Sequence, residues 1–149
     1  MLIKTHLAIS VFAIILFFPY VNYPIQFIFL ALFATVLPDF DTRFSKYGKN
    51  YFARVLQFFT KHRGMLHSIT LCTLLSLLLA IFTPILAFGF FLGYSLHLLA
   101  DSFTEKGIPL FWPLKYNAKG FIKTGGVVEK GIFFTIIIAD FLLVIVRAL

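Results

Sequence analysis

The chain has 149 residues, is 60% hydrophobic and only 13% charged, and has a mean hydropathy of +0.96. Soluble domains average roughly 25% charged residues, so this composition excludes an ordinary water-soluble fold and leaves one membrane-embedded domain over 1–149. The net charge of +7 is no sign of nucleic-acid binding, because basic residues are expected beside membrane spans.

Five apolar stretches follow one another, at about 6–18, 25–38, 66–82, 85–100 and 131–147. They predict an all-α, integral membrane helical bundle of about five transmembrane helices. The first follows Lys4 as a signal peptide would. It ends in Phe17-Phe18-Pro19-Tyr20 with no small-x-small cleavage pattern, so it is read as a retained span. Several stretches fall short of the ~20 residues of a full crossing. Tilting or local thinning of the bilayer makes up the difference. Pro19 and Pro24 bracket the first tight hairpin, and Pro84 marks the second. Cys72 is the sole cysteine and lies within the third stretch. No internal disulfide or thiolate zinc site can be built from it.

Two longer connections are polar. In the first, Asn50 to Lys61 reads as an amphipathic interfacial helix, with Tyr51, Val55, Phe58 and Phe59 on one face and Arg54 and Lys61 elsewhere. The second, from Ser102 to Lys130, carries Gly107, Pro109, Pro113, Gly120, Gly125 and Gly126. It should be loop, with Phe111, Trp112 and Tyr116 in the headgroup layer.

Threading the spans puts both polar connections and the N-terminus on one side. Twelve of the 13 Lys and Arg residues fall there, and only Arg147 falls opposite. The positive-inside rule makes that side cytoplasmic, with the C-terminus outside the cell membrane. The same threading gathers His6, Asp39, Asp41, His62, His67, His97, Asp101 and Glu129 on that side.

These residues suit metal binding. Leu37-Pro38-Asp39-Phe40-Asp41 closes the second stretch. Pro38 disfavours helix at Leu37, and an extended turn lets both aspartates address one ion or bridge two. Carboxylates at a helix C-terminus are opposed by the macrodipole and need a positive partner. His62-Arg63-Gly64-Met65-Leu66-His67-Ser68 opens the third stretch. Gly64 permits a turn, placing His62 in the loop and His67 in the first helical turn. Arg63 stands beside them, suited to gripping a phosphate or carboxylate. His97-x-x-x-Asp101 puts a nitrogen and an oxygen donor on one helical face, though alone it could be a simple hydrogen-bonded pair. His6 gains from its placement beside Asp39. Glu129 reads equally well as a carboxylate favoured by a helix N-terminus. Glu105 reads as solvated loop. Asp140 lies mid-span, where a carboxylate is costly, and is too deep for the cluster.

Four imidazoles and up to four carboxylates exceed the needs of one zinc site. The surplus indicates two ions, or one ion with a general base. Mixed His and Asp ligation suits a divalent zinc, manganese or iron better than copper or calcium. Such a centre can activate water and clamp a phosphoester.

Taken in order, His6, Leu37-Pro-Asp-Phe-Asp41, His62-Arg-Gly-Met-Leu-His67-Ser68, His97-Leu-Leu-Ala-Asp101-Ser102 and Gly107-Ile-Pro-Leu-Phe-Trp-Pro113 resemble the YdjM-like family of membrane-bound metal-dependent hydrolases. That family includes LexA-regulated bacterial inner-membrane proteins and many archaeal members. The resemblance covers nearly the whole chain, with Met65-Leu66 replacing an expected Leu-Thr or Ile-Thr. It implies a metal-dependent hydrolase fold in the membrane. The His-x-x-x-Asp motif is also distantly similar to that of zinc-dependent phospholipase C, which suggests phosphoester substrates.

The expected enzyme therefore has His62, His67, His97 and Asp101 as foremost ligands. Asp39 and Asp41 follow, one bridging or acting as base, with His6 completing the shell and Arg63 binding the substrate anion. The expected partners are membrane lipids, with anionic headgroups favoured by the basic loops. The rivals are a metal or proton transporter and a non-catalytic membrane protein with a structural metal. No signal for oligomeric state is present.

Overall fold

The computed structural model describes residues 1–39, 65–114 and 116–149. They form five α-helices and no strand: α1 (Ile3–Phe17), α2 (Pro24–Val36), α3 (Ile69–Phe82), α4 (Pro84–Ser102) and α5 (Val127–Ala148). Short 3-10 turns follow α1 at Phe18–Tyr20 and α2 at Leu37–Asp39. The expected interfacial helix at 50–61 lies outside the described residues.

Prolines set two helix starts. Pro24 and Pro84 open α2 and α4, where a missing N–H removes no intrahelical bond. Thr83 both closes α3 and precedes Pro84. Ser68 caps α3 by accepting from the Leu71 amide at 3.3 Å.

The expected all-α membrane bundle of five helices is present, with helices of unequal length. Three helical segments are long and apolar enough to cross a membrane: Ile3–Tyr20, Pro84–Ser102 and Val127–Ala148. α2 and α3 have only 13 and 14 residues. At 1.5 Å per residue each is roughly 20 Å long, against a hydrocarbon core of about 30 Å. One expectation needs correction: Leu37 stays helical, at φ −55° and ψ −45°, despite the following Pro38. The chain tightens there into a 3-10 turn rather than extending.

α2 packs along α4 at very short range. A Cβ added at Gly89 would lie 2.9 Å from the Phe27 carbonyl oxygen, and one at Gly93 would lie 2.0 Å from that of Ala31. The Gly89-x-x-x-Gly93 spacing thus forms a small-residue seam of the kind that brings membrane helices into backbone contact. Ala34, Cys72, Phe90, Tyr94, Leu98 and Ile108 form the main buried cluster beside it.

α1 and α5 run in the same direction. The Lys4 ammonium lies 4.9 Å from the Phe133 ring centroid, and Arg147 donates to the Leu16 carbonyl at 3.5 Å. α5 turns Phe134, Ile138 and Phe141 outward, as a lipid-facing surface requires.

The second polar connection is loop, as its glycines and prolines indicate. Isolated bridges between Thr104 and Ile122 and between Ile108 and Ala118 tie its two limbs together.

Candidate metal centre

The start of α1, the end of α2, the entry to α3, the end of α4 and the start of α5 meet at one end of the bundle. His6, Asp39, His67, His97 and Asp101 converge there. Asp41, His62 and Arg63, three further expected site residues, lie outside the described residues.

His97 is the best-held member. It is fully buried, one helical turn beyond Gly93 on the same face of α4. The glycine seam brings α2 close enough for the His97 Nδ1 to lie 2.8 Å from the Thr35 carbonyl oxygen. A carbonyl only accepts, so Nδ1 donates and Nε2 of the neutral ring keeps its lone pair. Thr35 is fixed in turn. Its hydroxyl donates to the Ala31 carbonyl at 2.7 Å and lies 2.7 Å from the Ser10 hydroxyl.

His97 Nε2 faces two carboxylates, 3.6 Å from Asp101 Oδ2 and 4.0 Å from Asp39 Oδ1. His67 Nε2 lies 3.8 Å from Asp39 Oδ1 and 4.0 Å from Asp101 Oδ2. These separations are too long for hydrogen bonds. They suit atoms arranged around an ion, since zinc ligands at ~2.0–2.1 Å in tetrahedral geometry stand about 3.3 Å apart. His6 stacks on His97 with ring centroids 4.0 Å apart and planes 13° apart. Its Nε2 lies 3.1 Å from Asp101 Oδ1, which the Met1 amino group also contacts.

His97 Nε2 and the Nδ1 atoms of His6 and His67 are buried without a hydrogen-bond partner among the described residues. Buried polar atoms are normally satisfied. Two overlapping sets of donors, His6-Asp39-His97 and His67-His97-Asp101, each have ligand atoms within 4.8 Å of one another. The donor set and its unsatisfied nitrogens therefore fit a divalent metal. With Nδ1 engaged by Thr35, His97 can serve one ion only.

His67 differs from expectation in its placement. It precedes the Ser68 cap rather than sitting in the first helical turn. The residues flanking it are held by three hydrogen bonds: the Tyr94 hydroxyl donates to the Leu66 carbonyl at 2.6 Å, the Ser68 hydroxyl donates to the Met65 carbonyl at 2.7 Å, and the Ile69 amide donates to the Leu110 carbonyl at 2.8 Å.

Glu129 does not join the cluster. Its Oε1 accepts from the Leu2 amide at 2.6 Å and the Thr5 hydroxyl at 2.9 Å, and its Oε2 accepts from the Gly125 amide at 2.6 Å. With both oxygens engaged, it pins α1 to α5 rather than offering a donor to an ion. Glu105 is exposed loop. Asp140 is buried in α5 away from the cluster, and its Oδ1 has no hydrogen-bond partner among the described residues.

A cavity of ≈ 460 Å³ opens over the cluster. Asp39, His67 and Asp101 line it together with Thr104, Lys106 and Thr124 from the second connection. Sequence reasoning missed Thr35 and Lys106. The four-residue recurrence Gly89, Gly93, His97, Asp101 was the available signal for the seam that brings Thr35 in.

Residues 1–148 match the family described as YdjM inner membrane protein. Two curated relatives, from Escherichia coli (strain K12) and Shigella flexneri, are both described as inner membrane protein YdjM. Each is 32% identical over 110 residues, covering 58% of this chain and 49% of the relative. The chain thus spans about half the length of the curated relatives it matches. No solved structure matches it.

Proposed function

The chain belongs to the YdjM inner membrane protein family, and from that footing we propose a membrane-bound, metal-dependent hydrolase that cleaves a phosphoester of a phospholipid or another membrane-resident molecule. The observation that carries this reading is His97. One ring nitrogen is fixed by the Thr35 carbonyl at 2.8 Å, and the other is buried without a hydrogen-bond partner among the described residues and faces carboxylates. Metal-ligating histidines are oriented in this way by a backbone carbonyl.

His67, His97 and Asp101 would hold the ion, with Asp39 beside it and His6 supporting Asp101. Zinc suits this set, and manganese or iron would also fit. When bound, the ion supplies Lewis acidity and lowers the pKa of a coordinated water. A second ion would need donors beyond these, and Asp41 and His62 are the candidates by sequence. The Asp39 side chain is 31% exposed, against 14% for Asp101. Asp39 is the more accessible of the two carboxylates and would be the one placed to accept a proton from incoming water. The cavity above both opens where the helices end, which suits a headgroup rather than an acyl chain.

Metal content of the purified protein tests the centre. The wild type should carry zinc or a related ion, and His97→Ala and Asp101→Ala should lose most of it. Equal metal in all three, or none in any, sinks the centre. A headgroup-release assay on mixed lipids tests the chemistry. Metal present with every lipid class left intact would reduce the ion to a staple between helices.

A further inference from the structure

We propose that Lys106 binds the anionic phosphoryl group of the substrate in the cavity over the metal centre. This rests on the metal-centre reading above and assigns the anion contact to a residue outside the metal-ligand set.

The cavity lining carries both signs of charge. Asp39 and Asp101 bring two carboxylates to it, with His67 Nε2 3.8 Å from the first and 4.0 Å from the second. A bare pair of carboxylates repels a phosphate, so an anion enters only when their charge is cancelled. Lys106 is the one Lys or Arg among the described residues that line the cavity. The Met1 amino group, the other cation there, already contacts Asp101. Thr124 adds a hydroxyl to the same lining. A phosphate in this cavity would have oxygens enough for both a cation held by His and Asp and the Lys106 ammonium. Ammonium–phosphate contacts are charge-assisted and stronger than neutral ones.

The loop is built to hold Lys106 in place. Thr104 is tied to Asp101 itself, through its amide at 3.0 Å and its hydroxyl at 2.7 Å, both donating to the Asp101 carbonyl. The Glu105 amide donates to the Ile122 carbonyl at 3.0 Å, and the Gly107 amide to that of Thr104 at 3.1 Å. Lys106 lies between these two anchored residues. Gly107 has φ +63°, and a Cβ there would stand 2.5 Å from the Ala118 carbonyl oxygen. The turn after Lys106 therefore requires glycine. The backbone of Lys106 is fixed while its side chain stays exposed, so a bound anion costs the loop little ordering.

A phosphate monoester or diester can come from a lipid headgroup or from a soluble metabolite. The test uses zinc-loaded protein in phosphatidylcholine nanodiscs, titrated by calorimetry with inorganic phosphate and glycerol 3-phosphate. Lys106→Met should weaken both by about tenfold or more, the loss expected for one charge-assisted hydrogen bond. Its zinc content should equal that of the wild type. Lys106→Arg should keep most of the affinity, and Lys119→Met should behave as wild type. Adding phosphatidic acid to the discs should displace glycerol 3-phosphate from the wild type if the source is a lipid, and leave it bound if the source is soluble. Zinc uptake with equal phosphate affinity in wild type and Lys106→Met, or with no phosphate binding at all, overturns this proposal alone. Failure of the wild type to take up zinc overturns the metal centre and this proposal with it.

Discussion

Gly93 faces Ala31 so closely that a methyl group at Gly93 would stand 2.0 Å from the Ala31 carbonyl oxygen. The obstacle is backbone, not a flexible side chain, so α4 itself must move away if the space is filled. Overpacking of this kind costs typically 1–3 kcal/mol. Here it also pulls His97 from Thr35. Gly93→Ala should lower the thermal midpoint in detergent and reduce bound metal together. Gly131→Ala is the control, because a Cβ there meets nothing within 4 Å. It should leave metal content unchanged and stabilise α5 slightly, by up to ~1 kcal/mol. Unchanged metal in Gly93→Ala would show that the seam does not position His97.

Glu129 is expected to matter for stability and not for metal. Glu129→Ala leaves the Leu2 and Gly125 amides without their acceptor. The loss should be on the order of 3 kcal/mol, since bonds to a charged group are worth more than neutral ones. Glu129→Gln keeps one oxygen acceptor and should recover part of it. Thermal unfolding gives the first quantity and elemental analysis the second. Loss of metal in a folded Glu129→Gln variant would restore Glu129 to the ligand set.

Asp140 separates the hydrolase from the transporter. It sits on the stripe of α5 that includes Phe133 and Arg147, both in contact with α1. A carboxyl group at the centre of a membrane helix costs up to about 2.5–3.5 kcal/mol on an insertion scale. Asp140→Leu should therefore raise the thermal midpoint and leave metal content and headgroup release unchanged. An ion or proton flux in proteoliposomes that vanishes with Asp140→Leu would favour transport instead.

The orientation inferred from the lysines and arginines is open to labelling. Cys72 is buried, so cysteines introduced singly at Lys119 and at Leu149 report on their own surroundings. Impermeant maleimide added to intact cells should label position 149 and spare position 119. The reverse pattern would place the cluster outside.

The apolar runs announced all five helices, and their ends were read within a few residues. α5 was the poorest, expected from 131 and beginning at Val127, because Val127-Val128-Glu129-Lys130 reads as connection until Glu129 is seen in a first turn below Gly126. Convergence of His6, Asp39, His67, His97 and Asp101 was legible because alternate helix ends must share a side. The partners of these residues were not. Thr35 acts through a backbone carbonyl, which every residue carries and no pattern marks. The partners of Glu129 were hidden for a related reason: two of its three donors are amides, invisible until the chain is folded. Lys106 was hidden among the other basic residues of a loop whose bridges no periodicity foretells.

Gly89, Gly93, His97 and Asp101 recur every fourth residue along α4. On a helix with 3.6 residues per turn, each step advances the stripe by about 40°. The line they trace is a shallow spiral, which begins against α2 and has moved on to His6 and the Met1 amino group by the time it reaches Asp101. α4 behaves as a threaded spindle: one rotational setting fixes its fit to α2 and the aim of both donors. Inserting or deleting a single residue between Gly93 and His97 would turn the upper thread by about 100°, leaving the helix intact and the lock unable to close.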